Sequence, residues 1–200
     1  MVKSKARQRL LLRKSLRLQR RQLSGSDRAD KSNALITQIL RHRLYRQAKH
    51  IAFYSAFDGE VDITPLLLHA YNNGKHCYLP VIPSLAGQRM HFVPYLSNAL
   101  EKTNHFGIRE PIYKAHTIFP RTKLDLVLMP LVGFDKRGQR LGMGGGFYDR
   151  CFEFRRFRRH WSKPTLLGVA FELQKVDSLV SELWDVTMDA CVTETDWYQF

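Results

Sequence analysis

Residues 124–130, with the sequence LDLVLMP, are apolar at almost every position. A strand with one face in water alternates polar and apolar side chains, so this run predicts a strand that is covered on both faces. Other apolar runs predict further strands and one helix: the strands at 50–56, 76–82, 89–95, 165–171 and 188–193, and the helix at 62–75. Strands that alternate with helices predict an α/β fold, in which a mainly parallel sheet carries helices on both sides.

The composition fits one globular domain. The chain has 200 residues, 44% of them hydrophobic and 12% aromatic, which is enough for a packed core, and we expect a single domain over residues 1–200. No apolar run approaches the roughly 20 residues that span a bilayer, and the charged N-terminus lacks a signal-peptide core. Three widely spaced cysteines match neither a disulfide framework nor a zinc site, so we expect reduced thiols in a cytoplasmic protein.

Basic helices are predicted for residues 1–48. The first covers 4–22, a stretch that contains no Gly or Pro. The second follows the break SGSD at 24–27 and runs to about Ala48, with Asp27 as its predicted N-cap.

Most of the net charge of the chain lies in this N-terminal quarter. Residues 1–50 contain 15 Lys and Arg residues against two acidic ones, which accounts for +13 of the formal net charge of +14. A solvated helix face, a site for small anionic ligands and a nucleic-acid-binding surface are all open as explanations. Nucleic acid is the least expected partner, because the sequence contains no aromatic-basic signature of an RNA-recognition module.

Four glycines in five positions mark the segment RLGMGGGFYDR at 140–150, called the glycine segment below. It follows the buried strand through a polar hairpin predicted at Gly138, and a helix is predicted to begin at 146 or 147. Glycine backbones can turn N–H groups toward a phosphate and let it approach closely. Arg140 can pair with phosphate oxygens, and Asp149 can hold the Mg²⁺ that accompanies a nucleotide. The segment therefore favours phosphate binding, with tight turn packing as the alternative.

The stretch LVLMPLVGFDKRGQRLGMGGGFYDR at 126–150 resembles the signature of the 5-formyltetrahydrofolate cyclo-ligase family, whose members are also called 5,10-methenyltetrahydrofolate synthetases. The likeness runs from about residue 9 to residue 193, through FYSAFDGEVDITPLL (53–67), GKHCYLPVI (74–82), FGIREP (106–111) and WDVTMDACVT (184–193). The resemblance implies a single-domain αβα sandwich, similar to the folds of sugar-phosphate isomerases and coenzyme A transferases. We expect a monomer that binds small molecules and no membrane.

The resemblance implies a reaction that converts 5-formyltetrahydrofolate and ATP, with Mg²⁺, to 5,10-methenyltetrahydrofolate, ADP and phosphate. The formyl group is an amide, so its carbonyl carbon resists attack by N10. Phosphorylation of the formyl oxygen provides a leaving group, after which N10 closes the ring and phosphate departs. Such a site must supply positioning and charge neutralisation rather than a covalent nucleophile. The alternatives are a nucleic-acid-binding module and a divergent paralogue that binds nucleotide without closing the ring.

The resemblance also assigns residues to each role. The ATP site comprises two basic residues of the first helix and most of the glycine segment: Arg9, Arg13, Arg140, Leu141, Gly142, Met143, Gly144, Gly145, Gly146, Phe147 and Tyr148. The folate site comprises Ser55, Glu60, Met143, Gly144, Gly145, Gly146 and Phe147. Arg140 and Tyr148 are the expected catalytic residues, and Asp149 and Asp189 are the expected ligands of Mg²⁺.

Some of these assignments have open alternatives. Arg9 stands where the family usually has Lys, and Lys5 with Arg9 is a second possible register for the basic pair. Glu60 has the alternative of an exposed turn carboxylate. The remaining basic side chains of the first helix, among them Arg20 and Arg21, are expected to be solvated.

Overall fold

The computed structural model describes residues 2–83, 89–156 and 163–200. Five α-helices lie in these ranges: α1 (Val2–Gln22), α2 (Gly25–Arg41), α3 (Arg43–Gln47), α4 (Thr64–Asn72) and α5 (Phe147–Phe152). The strands of the same ranges are β1 (His50–Ala52), β2 (His76–Val81), β3 (His91–Pro94), β4 (Glu101–Thr103), β5 (Arg109–Pro111), β6 (Leu126–Pro130), β7 (Gly133–Phe134), β8 (Arg140–Leu141), β9 (Thr165–Val169), β10 (Ala190–Val192) and β11 (Trp197–Gln199). Short 3₁₀ helices cover Ala115–Thr117, Arg121–Lys123, Glu153–Arg156 and Glu172–Gln174.

Seven strands form the central sheet in the order β11-β10-β9-β6-β1-β2-β3. The five strands from β10 to β2 are parallel, and one antiparallel strand closes each edge. The predicted α/β fold with a mainly parallel sheet is therefore confirmed. The predicted similarity to sugar-phosphate isomerases and coenzyme A transferases stays a prediction.

Strand β6 lies in the middle of this sheet and is covered on both faces, as its sequence predicts. Leu126 and Leu128 pack into a core that α2 and α4 complete. Val127 and Met129 point the opposite way, into a core that contains Phe152 of α5. These four side chains are at most 1% exposed. The helices expected on both sides of the sheet are thus present, with α2 and α4 on one face and α5 on the other.

The predicted N-terminal helices form, with two corrections. The N-cap of α2 is Ser24 rather than Asp27: Ser24 Oγ accepts a hydrogen bond from the Asp27 backbone N–H at 3.0 Å. Both residue types suit an N-cap, so the sequence alone did not separate them. The helix predicted to reach Ala48 is interrupted at His42, where the extended backbone separates α2 from α3 and the His42 ring accepts a hydrogen bond from Leu44 N.

Strands and helix α4 lie where the sequence predicts them, but several are shorter. The strand predicted at 50–56 ends at Ala52, and the one predicted at 165–171 ends at Val169. Strand β3 runs antiparallel to β2, with Val93 opposite Leu79. The nine residues between these two strands are too few for a parallel crossover, which needs about a dozen or more.

Two further observations concern the cysteines and the helices. All three cysteines are buried free thiols. In the parts of the chain that the structure describes, no helix combines the length and hydrophobicity needed to cross a bilayer.

The chain that follows β6 leads directly to the glycine segment. Strands β7 and β8 form the predicted hairpin, which turns at Gly138 with a φ of +73°. Helix α5 begins at Phe147, also as predicted. Because the carboxyl ends of β1, β2 and β6 meet at one edge of the sheet, the residues after them surround a common volume.

Candidate active site

A cavity of about 510 Å³ lies at the carboxyl edge of the parallel strands. Its walls come from the residues after β1 and β2, the glycine segment, the N-terminal half of α1 and the segment 182–185. Every residue predicted to bind ATP or folate lines this cavity except Leu141. Of the two predicted metal ligands, Asp149 lines it.

Positive backbone angles shape the glycine segment. Gly144 has a φ of +111°, and Gly146, the N-cap of α5, has a φ of +63°. Side chains other than glycine rarely adopt such angles. A Cβ at Gly145 would lie 2.5 Å from the Phe147 ring and would collide with it. Tight packing of the turn therefore explains why position 145 is a glycine. A Cβ at Gly144 would meet Arg13 Cζ at 3.9 Å, so the bare backbone there faces space beside a guanidinium.

Arg9 and Arg13 lie one turn apart on α1 and both line the cavity. Arg13 Nε donates to the Gly142 carbonyl at 2.7 Å, which ties α1 to the glycine segment. Burial, and then the neighbouring charge of Arg9, lower the pKa of Arg13. Arg9 Nη1 donates to Asp185 Oδ2 at 2.5 Å. Lys5 is exposed and is not part of the lining, so the geometry favours the Arg9 and Arg13 register.

Three further arginines of α1 converge on the carboxylate of Asp58. Arg17 Nε lies 2.7 Å from Asp58 Oδ2, Arg20 Nη2 lies 3.1 Å from the same oxygen, and Arg21 Nε donates to Oδ1. Arg20 also donates to the carbonyls of Asp58 and Leu131 and is only 1% exposed. The expectation of a solvated Arg20 is therefore wrong. The Arg20 side chain extends from α1 into the turn after β1. The Arg21 side chain is half exposed, although it pairs with Asp58.

Glu60, in the same turn, is a buried carboxylate and not an exposed one. Its side chain is 8% exposed, and its Oε2 accepts a hydrogen bond from Phe57 N at 3.1 Å. Burial raises the pKa of Glu60 to about 7, although Arg20, at 3.9 Å, favours the charged form. Ser55 lines the cavity on the same side. This end of the cavity can therefore accept hydrogen bonds from a ligand with N–H groups.

Arg140, Asp149 and Tyr148 form a cluster at the other end of the glycine segment. Arg140 Nη2 donates to Asp149 Oδ1 at 2.8 Å, and its guanidinium lies 5.4 Å from the centre of the Tyr148 ring. Val186 N also donates to Asp149 Oδ1, at 3.1 Å. Burial raises the pKa of the Tyr148 hydroxyl above its ordinary value, so this group stays neutral. The cluster holds Arg140 in place while it faces the cavity.

Mg²⁺ fits at Asp149 but not at a cage made by the protein alone. Among the described residues, no group of three or more His, Cys, Asp or Glu side chains is arranged to hold a metal ion. Mg²⁺ commonly uses one or two carboxylates together with substrate phosphates and water, so a cage is not required. Asp149 lines the cavity beside the glycine segment, and Arg140 and Val186 both approach its Oδ1. Its Oδ2 is then the atom that would meet a cation held by phosphates.

The structure does not bring Asp189 to this site. Asp189 immediately precedes β10, so it lies at the amino edge of the parallel strands, opposite the cavity. Its carboxylate accepts hydrogen bonds from Leu166 N at 2.7 Å and from Arg155 Nη2 at 2.6 Å. The predicted pairing of Asp149 with Asp189 around one metal ion therefore disagrees with the geometry. Asp189 instead holds the starts of β9 and β10 together.

Leu141 is the second predicted site residue that the cavity does not include. It is 1% exposed and packs in a small core with Leu16, Val132 and Leu179. Residues alternate sides along a strand, so Leu141 faces inward where its neighbour Arg140 in β8 reaches the cavity.

Several side chains that line the cavity were not predicted from the sequence. Asp185 and Trp184 line it, although the stretch WDVTMDACVT drew attention to Asp189 alone. Glu110, in the stretch FGIREP, is 2% exposed and accepts hydrogen bonds from Ile82 N at 3.0 Å and Asn104 Nδ2 at 3.2 Å. All three residues lie in stretches that resemble the family named above. A charged or aromatic residue within such a stretch is the signal from which these site residues could have been predicted.

Comparison with known proteins finds relatives of one family. A model of the 5-formyltetrahydrofolate cyclo-ligase family matches residues 4–194. The chain is 35% identical over 182 residues to a 5-formyltetrahydrofolate cyclo-ligase of Haemophilus influenzae, covering 88% of this chain and 94% of the relative. It is 32% identical over 185 residues to the protein of that name from Escherichia coli K12, covering 92% of this chain and all of the relative.

A solved structure is also similar over nearly the whole chain. The NMR structure of 5,10-methenyltetrahydrofolate synthetase from Aquifex aeolicus superimposes with a TM-score of 0.80 at 29% sequence identity. The match covers 96% of this chain and 92% of that one. Since the family model and relatives of similar length both match, the chain belongs to the 5-formyltetrahydrofolate cyclo-ligase family.

Proposed function

We propose that this protein converts 5-formyltetrahydrofolate to 5,10-methenyltetrahydrofolate with ATP and Mg²⁺, releasing ADP and phosphate. The observation that carries the proposal is one cavity with two chemically different ends. Arg13 and the bare backbone of the glycine segment, suited to phosphate, line one part of it, and the buried acceptor Glu60 lines another. A reaction between a nucleotide phosphate and a second, N–H-rich substrate needs such an arrangement.

The proposed reaction has two steps. The formyl oxygen attacks the γ-phosphorus, the bond from this phosphorus to the bridging oxygen breaks, and ADP leaves with the electron pair. N10 then attacks the formyl carbon, loses its proton, and the carbon–oxygen bond breaks so that phosphate departs. The product carries the N5=C–N10 amidinium, and every atom of the γ-phosphoryl group and of the formyl oxygen ends in phosphate.

The chain contributes positioning and charge to these steps. Arg13, anchored on the Gly142 carbonyl, and Arg140, anchored on Asp149, direct two guanidinium groups toward the phosphates. Fixed cations of this kind stabilise charge that moves onto the transferring oxygens without reorganising during the reaction. None of the three cysteines lines the cavity, which is consistent with a mechanism without a covalent enzyme intermediate.

Glu60 and Ser55 are the proposed folate contacts. The pterin ring presents an amino group and a ring N–H side by side, and a carboxylate can accept from both, as it does from a guanidinium. Burial of Glu60 strengthens these hydrogen bonds, because the competing water is excluded. Phe106 and Phe147 meet edge to face with their ring centres 5.5 Å apart and give this part of the cavity an apolar wall.

Mg²⁺ would be held by Asp149 and the phosphates, and when bound it would neutralise charge on the phosphate oxygens. Asp149 has a second task in the protein alone, because it orients Arg140. We further propose that the protein acts as a monomer in the cytoplasm, where buried free thiols such as these remain reduced.

The test mixes purified protein with 5-formyltetrahydrofolate, ATP and Mg²⁺ and follows the absorbance of methenyltetrahydrofolate. Product should form only when all three are present, with one ADP and one phosphate for each product molecule. Hydrolysis of ATP at the same rate without the folate would contradict the phosphorylated-formyl mechanism.

Two neighbouring residues of α1 provide a matched comparison. Arg13→Ala and Lys14→Ala remove the same charge from the same helix, but Arg13 lines the cavity and Lys14 is exposed. We expect Arg13→Ala to raise the KM for ATP more than that for the folate, and Lys14→Ala to change neither. If α1 served nucleic acid instead, both variants would weaken DNA or RNA binding alike, and binding would fall steeply with salt.

A further inference from the structure

Trp184 is a large aromatic side chain that the structure exposes at the cavity. It is 61% exposed, yet it is part of the cavity lining next to Arg9 and Asp185. Trp is enriched where proteins contact partners, because its side chain combines a large apolar surface with one polar N–H group. The proposed phosphate and folate contacts leave this side chain without a role.

The turn that carries Trp184 is tied down at several points. Within the turn, Glu182 N donates to Asp185 Oδ2 at 2.9 Å, and Asp185 N donates to the Glu182 carbonyl at 3.1 Å. Arg9 Nη1 joins the turn to α1 through Asp185 Oδ2 at 2.5 Å and the Val180 carbonyl at 3.0 Å. The exposure of Trp184 is therefore not that of a loose chain end. These bonds fix the backbone from which the indole extends.

The next residue links the turn to the proposed phosphate site. Val186 N donates to Asp149 Oδ1 at 3.1 Å, so the turn lies directly beside the end of the glycine segment. The folate contacts Ser55 and Glu60 belong to the segment after β1, which is a different wall of the cavity. In a phosphoryl transfer to folate, the γ-phosphate must face folate, and the nucleoside must extend away from it. The wall made by α1 and the 182–185 turn is where the nucleoside then lies.

We propose that Trp184 is the platform on which the base of the nucleotide stacks. This inference rests on the proposed function, since it assumes a nucleoside triphosphate with its phosphates at Arg13 and the glycine segment. Every base offers a π-face, so stacking on an indole provides affinity for nucleosides of any base. Asp185 acts as a positioning residue, because it fixes the turn and Arg9 at once.

The experiment compares ATP with inorganic triphosphate, which has the phosphates but no base. Binding of each to native protein, Trp184→Ala and Trp184→Phe is measured by calorimetry in the presence of Mg²⁺. We expect Trp184→Ala to bind ATP about ten-fold more weakly or worse, which is about 1.4 kcal/mol, and to bind triphosphate as the native protein does. Trp184→Phe keeps an aromatic face and should recover most of the ATP affinity.

Leu183 supplies the matched control. It is the neighbour of Trp184 and is 87% exposed, but it is not part of the cavity lining. Leu183→Ala should leave both affinities unchanged. Native binding of triphosphate by Trp184→Ala also shows that this variant is folded with its phosphate site intact.

Each outcome decides one of the two proposals. If the native protein binds ATP and Trp184→Ala binds it equally well, the platform is wrong and the proposed function stands. If Trp184→Ala loses ATP and triphosphate alike, the residue supports the fold of the site and not the base, which also overturns the inference. If native protein binds neither compound, the proposed function itself fails.

Discussion

We expect the buried carboxylate of Glu60, a proposed folate contact, to lower the free energy of unfolding of the protein. Burial raises the pKa of Glu60 from 4.5 to about 7, so the folded state disfavours its charged form. Glu60→Gln removes the charge and keeps the shape. The amide oxygen of Gln can still accept the hydrogen bond from Phe57 N. The variant should therefore be more stable than the native protein wherever the native carboxyl is forced to ionise.

The size of this effect depends on pH in a definite direction. The pKa of Glu60 is raised in the folded state, so its protonated form contributes stability that is present below pH 4.5 and is lost as the pH rises through 7. From these two pKa values, ionisation of Glu60 lowers the free energy of unfolding by about 1 kcal/mol at pH 5 and about 3 kcal/mol at pH 8. The stability of Glu60→Gln relative to the native protein should therefore increase by about 2 kcal/mol between the two pH values.

Urea unfolding of both proteins at pH 5 and pH 8 measures this difference. Other titrating groups are common to the two proteins, so their contributions cancel in the comparison. Asp177→Asn controls for the loss of one negative charge, because Asp177 is exposed. Glu60→Gln should also raise the KM for 5-formyltetrahydrofolate about ten-fold or more, through the loss of charge-assisted hydrogen bonds, and leave ATP binding unchanged. An equal pH dependence of stability in native protein and variant would refute the reasoning, since Glu60 would then be no less acidic folded than unfolded.

Three further predictions concern the glycine segment, the metal and α1. Gly144→Val should abolish binding of ATP and triphosphate while the circular dichroism spectrum stays native. Gly74→Val is the control, because Gly74 also has a positive φ, +72°, but lies far from the cavity. This variant should lose a similar amount of stability and still bind both compounds. Asp149→Asn should raise the Mg²⁺ concentration needed for turnover. Asp189→Asn should leave this concentration unchanged and lower the melting temperature instead, because the Asp189 carboxylate accepts hydrogen bonds from the backbone and from an arginine at the amino edge of the sheet. Arg20→Ala should lower the free energy of unfolding by about 2 kcal/mol or more in urea titrations, because it removes a buried guanidinium that donates to the Asp58 carboxylate and to the Asp58 and Leu131 carbonyls.

The parts of the fold that the sequence predicts are those with a strong local signal. Strand β6 is apolar along its length because both of its faces are covered, and such a run is visible without knowledge of its neighbours. Strand β11 was not predicted, because three residues, Trp197–Gln199, are too few to show a pattern. The antiparallel direction of β3 follows from its short connection to β2, because nine residues are too few for a parallel crossover.

Prediction of the site from the sequence is limited in a different way, because a motif identifies residues but not the residues that surround them in the fold. Asp185 and Asp189 lie four positions apart in one matched stretch, yet Asp185 lines the cavity and Asp189 lies at the opposite edge of the sheet. Arg20 and its partner Asp58 are 38 positions apart, and nothing in the helix around Arg20 indicates that this one cation is buried. Contacts between distant segments decide both cases.

Leu16 explains why α1 lies where its charges can act. It is 4% exposed and packs with Leu141, Val132 and Leu179 against the β7–β8 hairpin. A Cβ at Gly133 would lie 2.6 Å from Leu16 Cδ1 and 3.3 Å from the Gln174 carbonyl oxygen, so only glycine allows the helix to approach this closely. Leu141 therefore packs against Leu16 of α1 and helps to hold this helix beside the cavity, although it is not itself part of the cavity lining.

The position of α1 also accounts for part of the basic charge in the first quarter of the chain. Arg9 and Arg13, which lie two turns and one turn before Leu16, reach the cavity, and Arg20, one turn after it, reaches the buried turn that carries Glu60. One helix thus supplies cations to the proposed phosphate site and to the proposed folate site. A nucleic-acid-binding helix would present these side chains to solvent, whereas here they are held by Asp185, by a backbone carbonyl and by buried carboxylates. The charge pattern of α1 is therefore better explained by small anionic substrates enclosed beneath it than by a polyanion bound to its surface.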